Sequence, residues 1–210
     1  METVIAIGNP GTGKSTILNC LAEEVLFKSG VGYGGGVTQE LEIKQNRNGR
    51  FMDTPGFADS GLREVAAMAI SEALQQKGGQ KLLFFVTTQN GRVFAQDVAT
   101  LKLVLDASPE IGNNYGIVIN QVEPEWVEGI TTDSAKMEEF KAYLFAAIQE
   151  DKHCSSFVFI PRKRELYMKQ NTIVPLAELQ NDKLKTFVTK EVGKINLTSD
   201  KVGKINTGNF

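Results

Sequence analysis

Short, unbroken apolar runs recur along this chain, separated by stretches in which apolar residues return every three or four positions. Unbroken runs of strand length suit strands buried on both faces, and the three-to-four spacing suits amphipathic helices lying over them. Strands are expected at 3–7 (TVIAI), 81–88 (KLLFFVTT), 115–120 (YGIVIN) and 155–160 (SSFVFI). Two more, 40–45 (ELEIKQ) and 50–53 (RFMD), flank NRNG and read as a hairpin. Helical spacing follows the first strand to about residue 27 and recurs at 60–79, 95–107, 133–150 and 175–191. Ser60 is placed to cap the helix at 60–79, and Gly78–Gly79 are placed to stop it. Residues 28–38 are too rich in glycine for either helix or strand and read as a loop. Strands alternating with helices predict an α/β protein in three layers, with a mainly parallel six-stranded sheet and one antiparallel edge strand.

Composition narrows the class. The 210 residues suffice for a core that needs no staples. The 23 basic and 25 acidic residues nearly cancel, which argues against a protein that coats nucleic acid. Two cysteines, Cys20 and Cys154, and one histidine, His153, form no metal-ligand spacing, so a reducing compartment is the simpler expectation. The sequence enters its first strand without a cationic or apolar leader and holds no run of membrane-span length, so a cytoplasmic location is expected. The final residues, 192–210, repeat VGKIN once, and residues 182–204 hold six Lys against three acids. A polar, solvated tail is the favoured expectation here, over a peripheral electrostatic contact with an anionic membrane or partner.

Candidate chemistry begins directly after the first strand. Gly8, Asn9, Pro10, Gly11, Thr12, Gly13, Lys14, Ser15 and Thr16 fit the pattern G-x-x-x-x-G-K-[ST]. Such a loop wraps a polyphosphate with backbone N–H groups, so its glycines supply unusual dihedrals and keep side chains out of the way. Lys14 is then placed to reach the β- and γ-phosphates, and the Ser15 hydroxyl to ligate Mg²⁺. The strand before and the helix after it set it apart from a glycine-rich surface turn.

MDTPGFAD at 52–59 supplies the second half of a nucleotide site. Asp53, at a strand end, suits Mg²⁺, and the Gly56 N–H suits a γ-phosphate. Phe57 follows, where Ras-type GTPases carry the glutamine that orients the attacking water, so hydrolysis is expected to be slow or to rely on a group from elsewhere. Thr38, approached through the glycines of 30–36, is the best candidate for a hydroxyl that closes over the metal.

These motifs resemble the AIG-type GTPases, the GIMAP or immunity-associated family, over about residues 3–165. GNPGTGKST is similar to that family's phosphate loop, FKSGVGYGGGVTQE to its switch region, and DTPGFAD to a motif in which an apolar residue at Phe57 is normal. NGRVFAQD at 90–97 resembles the family's Gly-Arg-aromatic-Thr-x-Glu-Asp box, with the aromatic shifted to Phe94 and with Ala95 and Gln96 departing from it. Taken without the family, the same residues read as a turn and a helix start, with Asp97 near the positive end of the helix dipole. The resemblance implies a Ras-like sheet over 1–165, a C-terminal helical extension over 166–191, GTP/GDP and Mg²⁺ as ligands, and GTP-dependent self-association through facing nucleotide sites. It makes Arg92 a candidate for a charge donated across a homodimer, beside the plainer reading of a surface arginine capping its own loop.

Asn120-Gln121-Val122-Glu123 ends the fifth strand of the series, where related proteins carry Asn/Thr-Lys-x-Asp. The Glu123 carboxylate can accept the two guanine hydrogen bonds usually taken by Asp, which adenine cannot offer. Gln121 keeps an aliphatic stem and loses the lysine charge. FVFIPRKRE carries no ribose-side signature, and Arg162-Lys163-Arg164 reads equally as a contact or as a solvated turn. A slow GTPase switch is the leading expectation. A non-hydrolysing GTP-dependent scaffold and an ATP-using phosphate-loop NTPase or kinase stand behind it.

Overall fold

The computed structural model describes residues 2–30, 38–58, 61–89, 91–163, 170–171 and 182–209. Its centre is β1 (Glu2–Gly8), whose TVIAI run is buried from Val4 onward. Successive side chains on a strand point to opposite faces. Val4 and Ala6 therefore join one core, with Phe51, Leu83, Phe85 and Val118. Ile5 and Ile7 join the other, with Met52, Leu82, Phe84 and Ile117. An unbroken apolar run is what a strand with a packed layer on each face requires.

The sheet order is β2 (Glu42–Asn46), β3 (Gly49–Asp53), β1, β4 (Gln80–Gln89), β6 (Gly116–Val122) and β7 (Ser156–Pro161). All neighbours are parallel except β2 and β3, which form a hairpin in register from Glu42–Asp53 to Asn46–Gly49. The six expected strands and the antiparallel edge are thus present. Two short strands add to them: β5 (Arg92–Val93) folds back on the end of β4, and β8 (Lys194–Ile195) pairs antiparallel with its start.

Helix α1 (Lys14–Ala22) covers the Val4 face, while α2 (Arg63–Leu74), α3 (Ala95–Ala107) and α5 (Ser134–Leu144) contribute to the Ile5 face. The expected helix over 133–150 is shorter: Asp133 caps it by accepting from the N–H groups of Ala135 and Lys136, and it ends at Leu144. A further helix, α4 (Pro124–Thr132), is too short for its core-facing residues, Trp126, Val127 and Ile130, to stand out as apolar spacing. Its start carries a signal all the same, since proline at the first helical position has its φ already set and no N–H to leave unpaired. Ser60 and the first part, 175–181, of the helix expected over 175–191 lie outside the described residues, which resume with α6 (Asp182–Thr186) and a π-helical turn at Phe187–Glu191.

Residues 192–206 differ from the expected solvated tail. Val192, Ile195, Leu197 and Ile205 are all buried. The first VGKIN copy supplies β8, and the Lys81 ammonium caps the preceding turn by donating to the carbonyls of Thr189 and Val192. The second copy docks through Gly203 N–H on the Ala107 carbonyl at 2.7 Å. Polar composition concealed an apolar residue every few positions, enough to bind the segment to the sheet.

Candidate nucleotide-binding site

The motifs meet at the C-terminal ends of β1, β3 and β6, where open α/β sheets place their ligands. Gly13 takes φ of 88°, a left-handed conformation natural to glycine, and α1 starts at the next residue. Thr12 closes the loop by donating from its hydroxyl to the Asn9 carbonyl at 2.8 Å. Pro10 is half-buried and Gly11 exposed, while Thr16 sits half-buried in the first turn of α1.

Lys14 is 6% exposed, and its ammonium donates to the carbonyls of Gly8 (2.9 Å) and Asn9 (3.1 Å). Burial lowers its pKa, an effect opposed by the charges of Asp53 and Asp97. Asp53 is fully buried, and its Oδ2 accepts from the Ser15 hydroxyl at 2.5 Å and the Thr38 hydroxyl at 3.1 Å. Its Oδ1 is buried with no hydrogen-bond partner among the described residues. Burial raises the Asp53 pKa, opposed chiefly by Lys14. Two hydroxyls and a carboxylate with one orphaned oxygen form a hard oxygen-donor set of the kind that suits Mg²⁺.

Gly56 leaves the end of β3 and lies against the phosphate loop. A β-carbon there would stand 2.6 Å from Pro10 Cδ and 2.7 Å from both the Gly8 carbonyl oxygen and the Asn9 Cα. Any other residue would push the two loops apart. Phe57 has no exposed surface and belongs to the core, so its ring is directed away from the reaction space that a catalytic side chain would enter.

The NQVE segment is brought to the same loop. Asn120 donates to the Thr12 carbonyl and Gln121 to the Gly11 carbonyl, at 2.8 and 2.7 Å. Gln121 takes φ of 61° at an irregularity in the β6–β7 pairing, which swings its side chain across to the phosphate loop. An amide donor thus ties this segment to the phosphate loop without a charge. Glu123 precedes α4 with about half its side chain exposed, 3.6 Å from the Arg162 guanidinium. Arg162 is set there by its own N–H, which donates to the Val122 carbonyl at 2.8 Å. Residue 164 and the glycine approach at 31–37 lie outside the described residues.

Arg92 is exposed on β5, and its guanidinium makes no hydrogen bond or ion pair among the described residues. Asp97 is not merely near a helix dipole: it is buried and accepts from Asn9 Nδ2 at 2.8 Å. The side chain of Asn9 carried no sequence signal of this role.

A strand, phosphate loop and helix, with an acid at the end of the neighbouring parallel strand, define a phosphate-loop GTPase fold. Residues 3–121, more than half the chain, match the family described as 50S ribosome-binding GTPase, and the chain belongs to that family. It is a GTP-binding GTPase domain. No curated protein matches its sequence. Among solved structures, Toc33 from Arabidopsis thaliana in complex with GDP and Mg²⁺ is 15% identical, with a TM-score of 0.57 over 93% of this chain and 87% of that one. A dimerization-deficient mutant of Toc33 is 16% identical with a TM-score of 0.61 over 93% and 87%. A structure described by the importance of dimerization for the GTPase activity of the chloroplast translocon components atToc33 and psToc159 gives 16% and 0.60 over 93% and 86%. At such identities the likeness is one of fold alone.

Proposed function

We propose that this chain is a guanine-nucleotide switch of the AIG type, with slow Mg²⁺-dependent GTP hydrolysis stimulated by GTP-dependent self-association. The observation that carries it is the convergence of Ser15 and Thr38 on one oxygen of Asp53 while the other is buried and unpartnered. In this reading the loop from Gly8 to Thr16 cradles the phosphates through backbone N–H groups, and Lys14 turns from its two carbonyls to the β- and γ-phosphates. Ser15, Thr38 and Asp53 hold Mg²⁺, which when bound supplies positive charge beside the phosphates. Gly56 offers its N–H to the γ-phosphate. Asn120 and Gln121 fix the base loop against the phosphate loop, and Glu123 reads the guanine edge.

Slow hydrolysis follows from Phe57, which is packed in the core and has no group to orient water. Arg92 supports an assembly-dependent reaction, because it is exposed and charged on the surface that leads into α3, with no hydrogen bond or ion pair among the described residues. The dimerization named for Toc33 and psToc159 favours the same reading. The core burial of Phe57 also fits a scaffold that binds GTP without hydrolysing it. Single-turnover hydrolysis at a series of protein concentrations decides: a rate that climbs with concentration and is lost in Arg92→Ala supports the assembled GTPase. A rate indistinguishable from that of free GTP at every concentration leaves the scaffold.

A further inference from the structure

Three segments of the chain meet at one buried amide. Asn9, 4% exposed, donates from Nδ2 to Asp97 Oδ1 and accepts at Oδ1 from the Ala58 N–H (3.1 Å) and the Thr100 hydroxyl (3.3 Å). The other oxygen of Asp97 accepts from the N–H and hydroxyl of Thr87, at 2.9 and 3.0 Å. Chemistry fixes the orientation of the amide. The carboxylate accepts and the backbone N–H donates, so a flipped Asn9 would set like against like at both ends. Backbone N–H groups hold phosphate without any help from the side chain of residue 9. The network serves something else.

Its two ends differ in what they touch. Ala58 lies just past Gly56, and Gly56 is seated so closely on Asn9 that a β-carbon there would stand 2.7 Å from the Asn9 Cα. Asp97 lies in the first turn of α3, and the residues leading into it carry the exposed Arg92 and the 42% exposed ring of Phe94. We propose that Asn9 is a positioning residue that yokes the Gly56–Ala58 segment to the start of α3, so that the γ-phosphate alters the exposed Arg92–Phe94 surface. The inference rests on the reading that Gly56 faces the γ-phosphate. Through this link the nucleotide state reaches the surface where a second copy would dock.

The protein carries its own reporter. Its single tryptophan, Trp126, is held by Phe140 and Phe159, with ring centroids 5.6 and 5.9 Å away. A β-carbon at Gly91 would stand 2.8 Å from the indole Nε1. The full chain is loaded to saturation with GDP or with a non-hydrolysable GTP analogue, and acrylamide quenching of Trp126 is measured in each state. Both nucleotides share the base, so any direct effect of the base loop on α4 cancels. Competition against a fluorescent nucleotide confirms loading, and a chain that binds no guanine nucleotide is thereby recognised as a failure of the GTP reading itself.

The quenching constant is expected to differ about twofold between the states, and to lose more than half of that difference in Asn9→Ala and in Asp97→Asn. The double variant Asn9→Asp with Asp97→Asn should recover it. There the carboxylate at position 9 accepts from Ala58 and Thr100, while the amide at position 97 donates to it and accepts from Thr87. Equal quenching in the two wild-type states overturns the proposal. So do single variants that keep the full difference, and so does a double variant that fails to recover. If the single variants do not fold, amide exchange across 91–97 of the wild-type chain decides, and identical protection in both nucleotide states overturns it.

Discussion

The phosphate end and the base end of this site are built to different tolerances. At the phosphate end Lys14 and Asp53 are buried, the Gly56 loop is clamped on Asn9, and the hydroxyls of Ser15 and Thr38 are already turned to one carboxylate. At the base end Asn120 and Gln121 are tied down, but Glu123 is half exposed and, among the described residues, paired with an Arg162 that is itself about half exposed. Burial makes each polar group at the first end expensive to leave unmatched, whereas water can replace most of what is lost at the second. Phosphate recognition should therefore dominate affinity, with base recognition contributing a smaller, more adjustable term.

The largest break comes from Lys14→Ala, which removes the buried cation proposed to meet the polyphosphate. GTP affinity, read by competition against a fluorescent nucleotide, should fall on the order of 100-fold. Loss of less than fivefold would mean that the backbone loop suffices.

Asp53→Asn comes next, and it separates binding from stability. Mg²⁺-dependent GTP affinity should fall roughly 10- to 50-fold, since a charged donor in the set becomes neutral. The nucleotide-free protein should become more stable at neutral pH by about 1 kcal/mol, because burial weighs against the ionised Asp53 and the amide avoids that cost. The sign with pH follows. A folded pKa raised above the unfolded one favours the folded state increasingly as pH falls through it towards the ordinary value. The variant's advantage in thermal unfolding should thus be greatest at neutral pH and shrink in acid. An advantage that stays constant with pH would show that Asp53 carries no such burden.

Glu123→Ala sharpens the other side. It should leave affinity for the phosphates largely intact and reduce the preference for guanine over adenine nucleotides about tenfold. An unchanged preference would remove Glu123 as the base reader and leave 120–123 as a loop that only braces the phosphate loop.

The same contrast explains what the sequence disclosed. The phosphate loop, the acid at the end of β3 and the alternation of strand and helix are local patterns with a mechanism, and they were legible. Thr38 was legible too, and its hydroxyl stands 3.1 Å from Asp53. The side-chain role of Asn9 was not, because its partners Ala58, Asp97 and Thr100 are far away in the chain and any of many residues is tolerated at that position of the motif. The burial of Val192, Ile195 and Ile205 was hidden for a related reason: scattered apolar residues in a lysine-bearing stretch acquire meaning only when β4 offers a free segment beside Gln80 and Lys81. Helix α4 escaped because it is short: Trp126, Val127 and Ile130 do face the core, but three apolar positions in nine residues make a stripe too brief to set apart from a loop.

The smallest effect tests whether the looseness of the base end is real. Arg162 and Glu123 sit 3.6 Å apart with 46% and 51% of their side chains exposed. A pair so exposed contributes little, from nothing to about 1 kcal/mol, and salt screens it. In the proposed reading, the guanidinium competes with guanine for the Glu123 carboxylate before nucleotide binds. Arg162→Ala should therefore leave GTP affinity unchanged or raise it by up to about threefold, with the gain fading as ionic strength rises and screening loosens the wild-type pair. A fall of tenfold or more would reverse the interpretation. Arg162 would then be touching the nucleotide itself, and the base end would be as firmly built as the phosphate end.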